Sequence, residues 1–126
     1  MTDSKIILVV DDESDVIEWM TVFFEDNGYT TISATNGADA FAKAKSEKPD
    51  LVTLDITMDQ ESGIRALKNL QSTNETKNIP VIICTGVSPD LKQFIDRTKQ
   101  VEYPAAFLEK PIDRDVLLAK VKELIG

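Results

Sequence analysis

The sequence contains no histidine and a single cysteine, and only 14 lysines and arginines stand against 22 aspartates and glutamates. The lone cysteine, Cys84, excludes an intrachain disulfide. Its place in the apolar run from Val81 to Cys84 marks it as a buried small hydrophobe rather than a reactive thiol. The shortage of basic residues leaves a formal net charge of -8, a surface that repels nucleic acid backbones, so direct nucleic acid binding is not expected. Long hydrophobic runs are missing too, and none approaches the ~18 apolar residues that span a bilayer. The first residues include Asp3 and lead into only a short apolar stretch, which is the wrong pattern for a signal peptide. The expectation is a cytoplasmic protein without membrane contact. There is no internal repeat, linker or low-complexity tract, and 126 residues suit one domain with its own core. Residues 1–126 are therefore expected to form a single domain with no output domain attached.

What is present is an alternation of short β-branched runs with longer amphipathic ones, the pattern of a parallel sheet covered by helices. Ile6 to Val10 reads as the first strand. Ser14 to Asn27 places Val16, Met20, Phe23 and Phe24 on one helical face, with Gly28 at the expected C-terminal cap. Thr30 to Ser33 is a weak second strand, and Asn36 can cap a helix that carries Phe41 and Ala44 before Pro49. Leu51 to Leu54 is the third strand, Gly63 to Ser72 a helix with Ile64, Leu67 and Leu70 at helical spacing, and Val81 to Cys84 the fourth strand. Ser88, Pro89 and Asp90 read as the opening of a further helix through Leu91, Phe94 and Ile95. Ala105 to Leu108 closes the sheet. A last helix, capped by Asp113, is expected to turn Val116, Leu117, Val121, Leu124 and Ile125 inward. A strand as uniformly apolar as Ile6 to Val10 requires cover on both faces, so the fold class is doubly wound α/β.

In such sheets ligands bind beyond the carboxyl ends of the strands. The residues there are Asp11, Asp12 and Glu13 after the first strand, Asp55 after the third, Thr85 after the fourth, and Lys110 with Pro111 after the fifth. Each alone has an ordinary explanation as a cap, a turn residue or a solvated charge. Together they do not, because like charges at ~4 Å cost roughly 4 kcal/mol per pair at an effective dielectric near 20. A cation held among them resolves the repulsion. Magnesium is the hard ion that binds through one or two carboxylates, keeps waters and completes its shell with phosphate oxygens. A carboxylate beside such an ion, with a lysine and a hydroxyl nearby, is equipped to accept a phosphoryl group. Asp55 would be the acceptor, Lys110 would offset charge on the phosphoryl oxygens and Thr85 would donate a hydrogen bond.

The stretches Ile7 to Glu13, Pro49 to Met58, Gly63, Ile79 to Gly86 and Phe107 to Pro111 together resemble the receiver domains of two-component response regulators, over essentially the whole chain. The resemblance implies a flavodoxin-like (βα)5 fold with strand order 2-1-3-4-5. It implies Asp12 and Asp55 as direct magnesium ligands, Asp11 acting largely through a metal-bound water, and the backbone carbonyl of Thr57 as another ligand. Thr85 and Phe107 fall at the family's switch pair, in which the hydroxyl moves toward the phosphoryl group and the ring turns inward behind it. The implied donor is a histidine kinase or histidine phosphotransfer protein. The implied output is an altered protein-binding surface for an unidentified target, with no catalysis beyond the domain's own phosphorylation and dephosphorylation. The sequence departs from the family at Asp59, where proline usually follows the methionine, and at Glu61 to Gly63, although Gly63 stays at the turn into its helix.

Three other readings remain beside this one. A magnesium-dependent phosphohydrolase with an aspartyl-phosphate intermediate fits the loose Asp-x-Thr of Asp55 to Thr57, but its nucleophile would follow the first strand of a larger domain. A flavodoxin-like carrier would need a phosphate-welcoming loop where Asp11, Asp12 and Glu13 stand. A receiver-shaped interaction module that is never phosphorylated would have no use for the full set of acidic and basic groups on the rim.

Overall fold

The computed structural model describes residues 4–55, 60–86 and 104–126. In chain order these hold β1 (Ile6–Val10), α1 (Ser14–Asp26), β2 (Thr30–Ala34), α2 (Gly37–Glu47), β3 (Leu51–Leu54), α3 (Gln60–Ser72), β4 (Val81–Thr85), β5 (Ala106–Glu109) and α4 (Arg114–Ile125). The strands form one sheet in the order β2-β1-β3-β4-β5, and every neighbouring pair is parallel. This is the doubly wound α/β arrangement expected from the alternation, with the order implied by the resemblance.

Successive side chains on a strand point to opposite faces, so each apolar strand feeds two cores. Leu8, Val10, Val52, Leu54, Val81 and Ile83 pack on one side with Ala40 and Ala44 of α2 and Ile64, Leu67 and Leu70 of α3. Ile7, Val9, Leu51, Ile82 and Cys84 pack on the other with Met20 and Phe24 of α1 and Leu117 and Val121 of α4. Cys84 is buried there, and burial pushes its thiol up to about 12, as expected for an inert core cysteine.

The helix ends follow from local chemistry. α1 stops at Asn27, and Gly28 takes φ +92°, a left-handed conformation that costs glycine little. Asn36 Oδ1 accepts a hydrogen bond from the Asp39 N–H at 2.8 Å, and Asp113 Oδ1 accepts from the N–H groups of Asp115 and Val116. Both are side-chain caps on otherwise orphaned first-turn donors.

Several details differ from the sequence reading. α3 begins at Gln60, earlier than the expected Gly63, so Gly63 lies within the first turn and not at the turn into the helix. The strand ends move by one residue: β2 reaches Ala34, β4 includes Thr85 and β5 runs from Ala106 to Glu109. Val116 does not face inward and is 44% exposed. At roughly 100° per residue, it lies well off the arc of Leu117, Val121 and Leu124, which the core selects because Leu117 and Val121 are buried. The helix expected from Ser88, and the positions of Thr57 and Asp59, lie outside the described residues.

Candidate functional site

The rim at the carboxyl ends is assembled by the sheet's own hydrogen bonds. The Asp11 N–H donates to the Ala34 carbonyl at 3.2 Å, the Asp55 N–H to Val10 at 3.0 Å and the Lys110 N–H to Thr85 at 2.8 Å. Each residue thus extends its strand pairing by one step. Asp11 continues the register of Ile7 and Val9, Asp55 that of Leu51, and Lys110 that of Ala106 and Leu108. These are the residues that pack on the α1 and α4 side. The period of two therefore sends all three toward the same side of the sheet.

There they meet. Lys110 Nζ lies 2.8 Å from Asp11 Oδ2 and 3.0 Å from Asp55 Oδ2, bridging two carboxylates whose residues are 1% and 2% exposed. Asp11 Oδ1 accepts a hydrogen bond from the Glu13 N–H at 2.9 Å, which fixes the turn into α1. Asp12 is exposed at the mouth, and carboxylate oxygens of Asp11, Asp12 and Asp55 all lie within 4.8 Å of one another. Thr85, 3% exposed, ends β4 in the register of Ile83, whose β5 partner is Phe107. Phe107 is half-buried against the core on the α2 and α3 side. The two switch candidates thus share one face of the sheet on adjacent strands.

The charges are balanced unevenly. Burial is the main force raising Asp11 above the usual carboxylate range, the charge of Asp55 adds to it, and the hydrogen bonds from Lys110 and Glu13 only partly oppose it. For Lys110, burial alone would lower the pKa, but the bonds to both carboxylates outweigh it and hold the ammonium above its ordinary value. The lysine was read from sequence only as a partner for a phosphoryl group. Its second position, as the internal counterion of the acidic cluster, was not anticipated, since nothing in local spacing relates residue 110 to residue 11.

A group with a raised acid pKa binds its proton more tightly folded than unfolded. Ionised Asp11 therefore costs stability above its folded pKa, and that cost fades as pH falls through it. Without magnesium, Asp11→Asn is expected to melt at a higher temperature than the parent at pH 7. The difference should shrink as the pH is lowered through the folded pKa of Asp11, which paired thermal melts across pH will show.

The site fits magnesium on the chemistry of its donors. Three carboxylates in mutual reach offer hard oxygen ligands only, and with Asp12 exposed at the mouth a magnesium ion held there would keep access to water. Among the described residues no histidine or thiolate joins the group.

The sequence model of the response regulator receiver domain matches residues 7–122. Protein PilH of Pseudomonas aeruginosa is 33% identical over 120 residues, covering 95% of this chain and 97% of that protein. The polar-differentiation response regulator DivK of Brucella anthropi is 30% identical, with 97% of each chain covered. The chain also spans 16% and 49% of two longer relatives, a sensor kinase/phosphatase and a transcriptional regulatory protein. The structure of the Vibrio cholerae chemotaxis response regulator CheY4 superposes with a TM-score of 0.83 over 98% of this chain and all of that one, at 24% identity, which is a likeness of fold. Sequence, fold and rim agree on one assignment: the chain belongs to the response regulator receiver domain family, whose members accept a phosphoryl group in two-component signalling.

Proposed function

We propose that Asp55 is the phosphoacceptor of this receiver, that Asp11, Asp12 and Asp55 hold a magnesium ion, and that Lys110 and Thr85 receive the phosphoryl oxygens. The observation that carries this reading is the convergence of Lys110 on two buried carboxylates beside an exposed third, at 2.8 and 3.0 Å. Such a cluster is costly to hold without cations and is suited to a transferred group that brings its own negative charge.

In the transfer, a carboxylate oxygen of Asp55 forms the new bond to phosphorus while the bond to the donor nitrogen breaks, and the departing imidazole takes the bonding pair. When bound, magnesium neutralises charge on the phosphoryl oxygens. Lys110, which already contacts Asp11 and Asp55, would do the same from its own side chain, exchanging carboxylate oxygens for phosphoryl ones. The Thr85 hydroxyl donates to another of these oxygens. The donor is a phosphohistidine on a histidine kinase or phosphotransfer protein, and the family resemblance would add the backbone carbonyl of Thr57, which lies outside the described residues, as another ligand. The domain works in the cytoplasm, and its only catalysis is the gain and loss of its own phosphoryl group.

Acetyl phosphate with magnesium is expected to add one phosphoryl group, read by intact mass, and chelation of the metal should abolish the adduct. Asp12→Ala should weaken magnesium binding most, because Asp12 is the exposed ligand and enters few other contacts. Unchanged labelling in either case would contradict the metal site.

The output follows from the shared face of Thr85 and Phe107. As Thr85 moves toward the phosphoryl oxygens, the half-buried ring gains room to turn inward. Phenylalanine carries no hydroxyl to desolvate, so burying it costs no polar group, and the inward state is already sampled before phosphorylation. Thr85→Ala is expected to keep phosphorylation but lose the coupled change in β5 and α4. Amide shifts on adding beryllofluoride will show this. Shifts at Phe107 and α4 that persist in the variant would contradict it.

A further inference from the structure

We propose that Asn36 is a site of spontaneous deamidation, at which the Gly37 nitrogen closes a succinimide ring that water then opens to aspartate or isoaspartate. The sequence holds two Asn-Gly pairs, Asn27-Gly28 and Asn36-Gly37. Glycine after asparagine leaves the attacking nitrogen uncrowded by a β-carbon and its backbone free to turn. The fold then treats the two pairs differently. At the end of α1 the reacting groups are held: the Gly28 N–H donates to the Glu25 carbonyl at 3.1 Å, the Asn27 and Tyr29 N–H groups both donate to the Phe24 carbonyl at 3.0 Å, and Asn27 Nδ2 donates to the Phe23 carbonyl at 2.8 Å. At the start of α2 the hold is lighter. Asn36 is exposed; its Oδ1 accepts from the Asp39 N–H at 2.8 Å and its carbonyl from the Ala40 N–H at 3.0 Å. Asn36 Nδ2, the leaving group, has no acceptor among the described residues, and neither has the Gly37 N–H, a first-turn donor that a helix leaves without an internal partner.

Backbone conformation separates the pairs further. Ring closure requires ψ of the asparagine to turn until the glycine nitrogen eclipses Cβ. From ψ 168° at Asn36 this is the shorter turn; ψ 14° at Asn27 leaves its glycine nitrogen on the far side from Cβ. The Gly37 nitrogen bonds to Asn36 Cγ, and its proton, relayed by water, departs with Nδ2 as ammonia. Water adding at Cγ breaks the new N–C bond and leaves aspartate in a normal chain. Water adding at the main-chain carbonyl carbon breaks the original peptide bond and leaves isoaspartate, whose chain runs through Cβ and Cγ. Aspartate keeps a capping oxygen on α2 and places its charge favourably at the helix start. Isoaspartate lengthens the main chain between β2 and α2 and loses the cap. Either product adds a carboxylate at the carboxyl edge of the sheet, just after Ala34, whose carbonyl accepts the Asp11 N–H.

The whole chain, incubated for weeks in warm, mildly alkaline buffer, is followed by ion exchange and by peptide mapping with electron-transfer fragmentation, which separates aspartate from isoaspartate. Loss of ammonia at Asn36 is expected to be at least about tenfold faster than at Asn27, the difference implied by two fewer hydrogen bonds to break. The product should accept a labelled methyl group from a protein isoaspartyl methyltransferase. In concentrated urea the two pairs should react alike, since the fold is what distinguishes them. Gly37→Ala should slow the reaction at Asn36 by crowding the nitrogen. Asn36→Ser, which keeps a capping side chain, should melt with the parent and lose most of the acidic isoforms. Faster reaction at Asn27, equal rates in the folded protein, a difference that persists unchanged in urea, or undiminished acidic isoforms in Asn36→Ser would each overturn the proposal.

Discussion

Asp55→Asn is expected to eliminate the covalent phosphoryl adduct, not merely to slow its formation. An amide oxygen is a poor nucleophile, and removing a covalent nucleophile costs at least about a thousandfold in rate. The alternative acceptor nearest to hand is Asp11, which also contacts Lys110 and is just as buried. Its two oxygens are already engaged, Oδ1 by the Glu13 N–H and Oδ2 by Lys110, so attack from Asp11 would have to break a contact that fixes the turn into α1. An adduct of undiminished amount in Asp55→Asn would move the chemistry to another carboxylate.

Lys110→Ala should have opposite effects on metal and on chemistry. The ammonium sits on oxygens of Asp11 and Asp55 that a metal ion would share. Removing it leaves magnesium as the only cation available to the pair, and magnesium affinity measured by titration of Trp19 emission should be retained or increased. Phosphorylation by acetyl phosphate should nevertheless fall by roughly 10²–10³-fold, the scale of losing one preorganised charge aimed at the reacting group. The fold should become more dependent on the metal, because two buried carboxylates lose their internal counterion. Equal loss of magnesium binding and of phosphorylation would instead make Lys110 a structural residue of the site. At high pH the parent should approach the variant. The raised pKa of Lys110 means its stabilising contribution is complete below the unfolded value of 10.5 and is lost only as pH climbs through the still higher folded one.

The fold was legible because its strands are uniformly apolar and its helices are punctuated. Ile6 to Val10 could be nothing but a strand buried on both faces, and Gly28, Asn36 and Asp113 mark helix ends by mechanisms that act over a few residues. Boundaries were less legible where the ladder runs on into polar residues. Thr85 belongs to β4 because its carbonyl pairs with the Lys110 N–H, a partner whose identity no local pattern reveals. Val116 was misplaced because several apolar residues in α4 compete for the inward arc, and only the sheet it packs on decides between them. α3 was begun too late because Gly63 reads as a turn residue, whereas Gly63 and Ile64 are both buried within the helix.

The candidate residues Asp11, Asp12, Asp55, Thr85 and Lys110 stood out in the sequence as the polar residues that follow apolar runs, and the topology of a parallel sheet brings such residues to one edge. The lysine bridge was not visible, since it depends on three strands sharing one side-chain parity at their ends. For Thr57, Asp59 and the segment from Ser88, the sequence reading stands as an expectation.

The most direct measurement of the central claim is to locate the phosphoryl group chemically. Protein treated with acetyl phosphate and magnesium is reduced with borohydride, which converts an aspartyl phosphate to homoserine, then digested and sequenced by mass spectrometry. Homoserine at position 55 alone is the expected result; homoserine at position 11 or 12, or none at any aspartate despite a stable phosphoryl adduct on the intact protein, would contradict the account.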